Sequence, residues 1–327
     1  MKILTLSPLS LLLLPHLAQA AYVLQEDYNA QNFLSKFTYF TGSDPTHGFV
    51  KYVDEQTAKS KQYVRPNGAQ IHVGVDYKSK VPFNPADKTG TGTGGRESVR
   101  LESKTLYTKG LFILDIEHMP GGPCGTWPAF WTVGGGWPNN GEIDIIEGVH
   151  RNSVNMMALH TGPQCSVKGL KQKALVEAPN CDVKAPGQAS NQGCSMKDKG
   201  AASYGDAFNA AKGGVFAMEW TSTHIKVWFF PRGSIPKDIN TPNPASWGTP
   251  NANFEGGCEF DKKFKDHKII FNTTFCGDWA GGVWGTAAVD GGCGSRAKTC
   301  VEFVANNPQE FEKAYWTINY LKVFKQQ

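Results

Sequence analysis

The chain has 327 residues, of which 40% are hydrophobic and 12% aromatic, and this apolar content excludes a largely disordered protein. Only 19% of the residues are charged, whereas 36 Gly and 19 Pro indicate frequent turns rather than long solvated helices. The formal net charge is +4 without a dense run of Lys or Arg, so no nucleic-acid partner is indicated.

The first element in chain order is a targeting segment. Lys2 gives a positive start, residues 9–14 are almost entirely apolar, and the A-Q-A at residues 18–20 fits a small-x-small cleavage site. We expect residues 1–20 to be a signal peptide and residues 21–327 to be the mature, secreted chain. No later stretch is apolar over the roughly 20 residues that a membrane span needs, so no membrane partner is expected.

Short apolar runs separated by turn signals follow along most of the mature chain. They predict strands at residues 69–77, twice within 98–117, and at 155–161, within 215–230, at 268–275 and at 315–324. No long amphipathic helix interrupts them. This pattern favours an all-β sandwich or jelly roll.

A polar segment at residues 163–214 breaks the pattern and contains three cysteines. A structureless loop of this length is uncommon unless it is functional or held by cross-links. We therefore expect a disulfide-pinned loop excursion, with a short helix near residues 204–212, rather than a second domain.

Eight cysteines fit an exported protein with disulfides, at positions 124, 165, 181, 194, 258, 276, 293 and 300. We expect all eight to be paired. None forms a C-x-x-C pair, which argues against a zinc ribbon or a thioredoxin-type site. The sequence does not choose among 105 connectivities, but the simplest partition keeps bridges within the first four and within the last four. Asn272 begins an N-glycosylation sequon, which predicts surface exposure if it is used.

The segment GEIDIIEG at residues 141–148 places Glu142, Asp144 and Glu147 close together. Isoleucines separate them and favour a strand, on which Glu142 and Asp144 share a face. Like charges this close repel, so a purely structural strand gains nothing from them. The cluster fits a hard-cation site, a glycosidase pair or, most simply, a solvated polar face.

Three tryptophans precede the acidic cluster within fifteen residues, namely Trp127, Trp131 and Trp137. Flat indole faces stack on the C–H faces of sugar rings, and carboxylates beside Trp are typical of carbohydrate clefts. Core packing is the alternative for each ring, above all for Trp131, which follows Phe130. The neighbourhood favours the glycosidase interpretation.

GEIDIIEG, preceded by GTWPAFWTVGGGWPNN, resembles the E-x-D-x-x-E motif of glycoside hydrolase family 16. Further segments also resemble the secreted fungal β-1,3(4)-glucanases, or laminarinases, of that family, namely DPTHGFVKYV, ESVRLESK, HTG, FCGDWAGGVW and AYWTINYLKVF. The resemblance covers nearly the whole mature chain. It implies a single catalytic domain with a curved, concanavalin-like β-jelly-roll sandwich fold over residues 21–327.

The resemblance also implies roles for the acidic residues. Glu142 matches the nucleophile, Glu147 the general acid/base and Asp144 the residue that assists the nucleophile, while His160 matches a histidine of the cleft. The candidate sugar platforms are Trp127, Trp131, Trp137, Trp279 and Trp284. On a regular strand Glu147 would point away from Glu142, so we expect a β-bulge at Ile145 or Ile146.

The implied function is endo-cleavage of β-1,3- and mixed β-1,3/1,4-glucans with retention of configuration, by an extracellular monomer. No organic cofactor is implied, and no ligand motif is visible for the structural calcium that some family members carry. The alternatives are a related activity, such as a galactan hydrolase or a glucan transglycosylase, and a non-catalytic β-glucan-binding lectin. The intact glutamate pair argues against the lectin.

Overall fold

Alternation of apolar and polar residues produces strands along most of the chain. The computed structural model describes residues 22–87, 94–200 and 202–327, so the signal segment predicted at residues 1–20 lies outside the described residues. Within them the strands are β1 (Tyr22–Tyr28), β2 (Phe37–Tyr39), β3 (Val50–Tyr52), β4 (Val64–Asn67), β5 (Gln70–Val73), β6 (Arg96–Ser98), β7 (Arg100–Ser103), β8 (Gly110–His118), β9 (Thr126–Gly134), β10 (Glu142–Glu147), β11 (Met156–His160), β12 (Leu175–Ala178), β13 (Cys194–Lys197), β14 (Gly214–Trp220), β15 (His224–Pro231), β16 (Ala252–Glu255), β17 (His267–Phe275) and β18 (Trp316–Gln326).

Helices are short throughout the described residues. The α-helices are α1 (Glu55–Ser60), α2 (Gly205–Ala210), α3 (Phe260–Lys263) and α4 (Cys300–Asn306). Single 3₁₀ turns occur at Phe33–Lys36, Arg232–Ser234, Pro244–Ser246, Cys293–Ser295 and Pro308–Phe311, and a π-helical turn at Gly277–Gly281. In this part of the chain, no helix has the length and apolar character needed to cross a membrane.

Two eight-stranded antiparallel sheets form a sandwich. The first, the β8 sheet, has the order β16-β15-β14-β8-β18-β5-β4, with β1 added on β18. The second, the β10 sheet, has the order β12-β13-β11-β10-β9-β17-β7-β2, and β3 and β6 form a small parallel pair. Strand β10 therefore lies in the middle of its sheet, with neighbours on both sides.

The main hydrophobic core lies between the two sheets. Phe130, Ile143 and Phe271 of the β10 sheet share one buried cluster with Leu114 and Phe216 of the β8 sheet. Burying a side chain of this size contributes about 1.5–3 kcal/mol relative to leaving it exposed, so the facing layers hold the β10 sheet rigid. The opposite face of the β10 sheet points away from this core and carries the candidate active site described below.

The predicted excursion at residues 163–214 is partly ordered, since it contains β12, β13 and the predicted short helix, α2. It is held by the disulfides Cys165–Cys258 and Cys181–Cys194. Strand β13 pairs with β11, so the excursion extends the β10 sheet rather than forming a separate body.

All eight cysteines are paired, as expected. The expected partition into first four and last four is wrong, because Cys124 bridges to Cys293 and Cys165 to Cys258. Cys165 and Cys258 are partners in an isolated antiparallel β-bridge, so the fold brings residues 93 positions apart into contact. Sequence proximity carries no information about such pairs.

Candidate active site

The strand that carries the acidic cluster contains the expected irregularity. Asp144 on β10 lies opposite Trp131 on β9, but Ile146 lies opposite Phe130, so Ile145 is an extra residue. The pairing of β10 with β11 shifts in the same stretch. This two-against-one arrangement is a β-bulge, and the prediction of one is confirmed.

The bulge puts all three carboxylates on one face. Their partners on β9 are Val133 for Glu142, Trp131 for Asp144 and Ala129 for Glu147. Because these partners are two residues apart along β9, they share a face, and so do the residues opposite them. Three isoleucines of β10 turn into the core instead, where each is fully buried: Ile143, Ile145 and Ile146.

Glycines mark both ends of β10. Gly141 has φ +77°, and a side chain there would meet the Lys263 carbonyl and the Phe264 ring. A Cβ at Gly148 would lie 2.8 Å from the Tyr204 ring. Only a residue without a side chain allows these close approaches, which fix where the acidic strand begins and ends.

Burial dominates the electrostatics of the cluster. Burial, followed by the charge of Asp144, raises the pKa of Glu142 and of Glu147 to about 8. Burial also raises the pKa of Asp144 to about 8. Because a buried like-charged neighbour disfavours each further ionisation, the cluster retains protons well above the usual range of carboxyl groups. Such groups are suited to proton transfer near neutral pH.

His160 faces two of the carboxylates from the neighbouring strand. It lies opposite Glu142 in the β10–β11 register, and its Nε2 is 3.0 Å from Asp144 Oδ2 and 3.8 Å from Glu142 Oε1. One ligand atom from each of these three residues lies within 4.8 Å of the others, so they are also the set that offers oxygen and imidazole ligands to a metal ion.

One indole is bonded to Glu147, and a second packs against the first. The Nε1 of Trp127 donates to Glu147 Oε1 over 2.8 Å, and the ring of Trp127 meets that of Trp279 edge-on at 5.6 Å. Trp279 lies in the π-helical turn Gly277–Gly281. The structure thus brings both predicted platforms together beside one carboxylate.

Another indole lies further across the same face. Trp131 donates from Nε1 to Asn272 Oδ1 over 2.8 Å, and the Arg100 guanidinium lies 5.0 Å from its ring and 4.5 Å from the ring of Phe40. Asn272 in turn donates to the Tyr52 hydroxyl. Arg100 lies in ESVRLESK, but its place beside Trp131 could not be predicted from the sequence, because only the register of β7 against β17 reveals it.

The sequon at Asn272 is not at the surface. Asn272 is 7% exposed and lies within β17, which pairs with β7 on one side and β9 on the other. Surface exposure was predicted only for a sequon that is used, and a strand internal to the sheet does not provide it.

The last two predicted platforms differ from each other. Trp137 is 43% exposed, and its side chain interacts with Glu142 and favours the ionised form of that carboxyl. Trp284 instead donates to the Ala297 carbonyl and packs against the rings of His150 and Phe303. Its ring is used for packing in a second hydrophobic cluster, so it does not fit the role of a sugar platform.

Comparison with known proteins agrees with this arrangement. A family model described as "XgeA-like, catalytic GH16 domain" matches residues 37–324. The chain therefore belongs to glycoside hydrolase family 16. Among curated relatives, it is 48% identical over 318 residues to an endo-1,3(4)-beta-glucanase of Arthroderma benhamiae and 42% identical over 328 residues to the endo-1,3(4)-beta-glucanase xgeA of Emericella nidulans.

These matches cover 96% and 97% of this chain, which spans 67% and 50% of the two relatives, respectively. Two solved structures have a TM-score of 0.84. One is an elongating GH family 16 beta-1,3-glucosyltransferase, 42% identical, with 93% of this chain and 100% of the other covered. The other is Laminarinase 16A from Phanerochaete chrysosporium with 6-O-glucosyl-laminaritriose in donor and acceptor sites, 41% identical, with 94% and 100% covered. The predicted jelly-roll sandwich is confirmed.

Proposed function

We propose that this protein is a retaining endo-β-glucanase that cleaves internal bonds of β-1,3- and mixed β-1,3/1,4-glucans. The observation that carries the proposal is the bulged β10, which groups Glu142, Asp144 and Glu147 on one sheet face beside indole rings. Family membership supports a hydrolase, and the names of the fungal relatives support the glucan class. The catalytic unit is a single sandwich domain over residues 21–327.

The reaction has two displacements. The Glu142 carboxylate attacks the anomeric carbon to form an ester, while Glu147 gives its proton to the departing glycosidic oxygen. Glu147, now a carboxylate, then takes a proton from water, whose oxygen attacks the same carbon and releases Glu142. Each displacement inverts the anomeric carbon, so the product keeps the β configuration.

The double displacement requires an ionised Glu142 and a protonated Glu147. Glu142 interacts with the Trp137 side chain and lies 3.8 Å from His160, and both favour its charged form. His160 and Trp127 act on Glu147 in the same direction. Trp127 donates to only one oxygen of Glu147, which leaves the other for a proton. Asp144, 3.0 Å from His160, assists by holding that imidazole beside the nucleophile.

The flanking rings supply the glucan contacts. Trp131 lies opposite Asp144 in the middle of the site, and Trp137 lies next to Glu142. Trp127 is bonded to Glu147 and packs edge-on against Trp279. Because Glu147 protonates the leaving oxygen, Trp127 and Trp279 form the leaving-group side of the cleft. Every glucose unit of a glucan presents a similar ring face to an indole. The rings can therefore bind internal segments of the polymer, as an endo-acting enzyme requires.

Four disulfides are typical of a protein made in an oxidising compartment. With residues 1–20 as a signal peptide, we propose that the enzyme is secreted and acts as a monomer on extracellular glucan.

Product analysis tests the proposal. Purified protein is incubated with laminarin, lichenan and agarose, and the products are separated by chromatography. We expect a ladder of oligosaccharides from laminarin and lichenan, and none from agarose. Cleavage of agarose would assign the site to a galactan, and binding of laminarin without any cleavage would assign it to a lectin.

A further inference from the structure

A buried histidine follows the acidic strand and is not part of the proposed chemistry. His150 is fully buried, and both of its ring nitrogens bond to main-chain groups of other segments. The Gly125 N–H donates to Nδ1 over 2.9 Å, and Nε2 lies 2.8 Å from the Ala280 carbonyl oxygen. Because a main-chain N–H can only donate, Nδ1 is the acceptor and Nε2 carries the proton. The ring is thus held in one neutral tautomer, and burial lowers its pKa, which keeps it neutral.

The segments that His150 joins are those that carry the leaving-group side. Gly125 precedes Trp127 by two residues, Ala280 follows Trp279 directly, and His150 itself follows Glu147 by three residues. The main chain adds a further link, since the His150 N–H donates to the Thr126 carbonyl over 2.9 Å. One imidazole therefore sets the positions of the acid/base and both indoles relative to each other.

The register shows where these groups lie along the cleft. Glu147 is opposite Ala129, so Trp127 lies two residues beyond it on β9, on the side away from Glu142. In a retaining reaction this side holds the leaving glucan in the first step. In the second step the same place admits either water, which gives hydrolysis, or another glucan chain, which gives transfer.

We propose that His150 is a positioning residue that fixes the Trp127–Trp279 pair, and thereby sets how well a glucan acceptor competes with water. The proposal rests on the proposed function and deepens it. An acceptor sugar needs both indoles in place, whereas water needs neither. Loss of the link to Ala280 moves the Trp279 turn and weakens transfer more than hydrolysis.

Two substitutions each keep one of the two hydrogen bonds that the His150 ring makes, either the bond from Gly125 or the bond to Ala280. His150 has φ +52°, in the left-handed region that Asn tolerates. In His150→Asn, Oδ1 takes the place of Nδ1 and keeps the bond from Gly125, but no donor reaches Ala280. In His150→Gln, the longer side chain brings an amide N–H to the Ala280 carbonyl. The second variant therefore restores the bond that the proposal requires.

A matched control exists on the other side of the site. His267 is also fully buried, with Nδ1 2.8 Å from Thr132 Oγ1 and Nε2 2.7 Å from the Asn140 carbonyl oxygen. It supports the loop that precedes β10, on the Glu142 side. His267→Asn removes a comparable buried bond without touching the leaving-group side.

The experiment measures the ratio of transfer to hydrolysis products from millimolar laminari-oligosaccharide, together with hydrolysis of a nitrophenyl β-laminaribioside, whose leaving group needs no indole. We expect His150→Asn and Trp279→Ala each to lower the transfer-to-hydrolysis ratio roughly tenfold. This corresponds to the loss of about one aromatic stacking contact with the acceptor sugar. The double variant should lower it no further, because both changes remove the same platform. His150→Gln should recover most of the ratio, and the aryl substrate should respond far less.

Distinct outcomes contradict distinct claims. Two results would make His150 a structural residue only. One is a drop in the transfer-to-hydrolysis ratio for His267→Asn as large as that for His150→Asn. The other is an equal fall in the rates on the oligosaccharide and on the aryl substrate for His150→Asn. Absence of transfer products from the parent enzyme would also overturn the positioning claim. Failure of the parent enzyme to hydrolyse the aryl laminaribioside would instead overturn the proposed function. If His150→Asn does not fold, His150→Gln still tests the claim, because it keeps the bond to Ala280 and a near-parental ratio is expected. A tenfold drop in the ratio for folded His150→Gln would contradict the proposal.

Discussion

At the scale of single residues, Asp144 is the group on which the neighbouring carboxyls depend. It is 2% exposed, and its charge adds to burial, the larger cause, in raising the pKa values of both Glu142 and Glu147. It also lies within 3.0 Å of His160 Nε2. A single buried carboxyl thus influences both the proposed nucleophile and the proposed acid/base.

The first prediction concerns the nucleophile. Glu142→Gln removes the attacking carboxylate while keeping its shape, so turnover of laminarin should fall by about 10³-fold or more with binding largely retained. Asp144→Asn should impair turnover less, because it acts through its neighbours. The control is Glu177→Gln, the same change at an exposed position of β12. Substantial laminarin hydrolysis by Glu142→Gln, measured by reducing-sugar release, would remove Glu142 from the mechanism.

The second prediction concerns pH. Glu142 must be ionised to attack and Glu147 protonated to act as an acid, and burial raises the pKa of both to about 8, so activity should peak where the coupled pair shares one proton. On the alkaline side Glu147 loses that proton. The value of kcat/KM on laminari-oligosaccharides should therefore fall as pH rises through about 8, approaching tenfold per pH unit. A dinitrophenyl laminaribioside, whose leaving group needs no proton, should show a much weaker alkaline decline. Identical declines for both substrates would mean that another group titrates.

At the scale of elements, the bulge in β10 decides whether the site exists. Without the extra residue, Glu147 would point into the core, where Ile143, Ile145 and Ile146 now pack. The alternation rule was enough to predict the bulge from the spacing E-x-D-x-x-E. It could not reveal Arg100, Asn272 or His150, because their contacts depend on which strands and loops lie side by side.

The third prediction tests the bulge itself. Deletion of Ile146 restores a regular strand and turns the acid/base toward the core, so kcat should fall by about 10²–10⁴-fold, the typical contribution of a general acid. Ile146→Val is the control, since it keeps the register and costs about 0.5–1.5 kcal/mol of stability. Circular dichroism checks that the deletion variant is folded. A folded deletion variant with near-parental activity would show that the register of Glu147 is irrelevant.

At the scale of the whole molecule, the two sheets and four disulfides hold the site rigid. The composition and the strand pattern were sufficient to predict an all-β sandwich. The cysteine count was sufficient to predict four disulfides. The pairing was not predictable, because Cys124–Cys293 joins residues 169 positions apart that only the folded sheets bring together. Strand β1 was also missed, since only one of its seven residues is buried and it pairs only with β18.

The fourth prediction compares two of the bridges. A cross-link that closes a longer loop removes more entropy from the unfolded chain. Replacing Cys124 and Cys293 with Ser should therefore cost about 5 kcal/mol of unfolding free energy. The same change at Cys181 and Cys194, only 13 positions apart, should cost about 3 kcal/mol. Urea unfolding measures both, and a larger loss for the short loop would contradict the entropic account.

The central claim is that Glu142 and Glu147 carry out a double displacement on β-glucan. Proton NMR of a laminari-oligosaccharide digest follows the anomeric signals before mutarotation mixes them. The account predicts that the β anomer appears first, because two inversions restore the original configuration. Initial appearance of the α anomer would show a single displacement and contradict the assignment of Glu142 as the nucleophile.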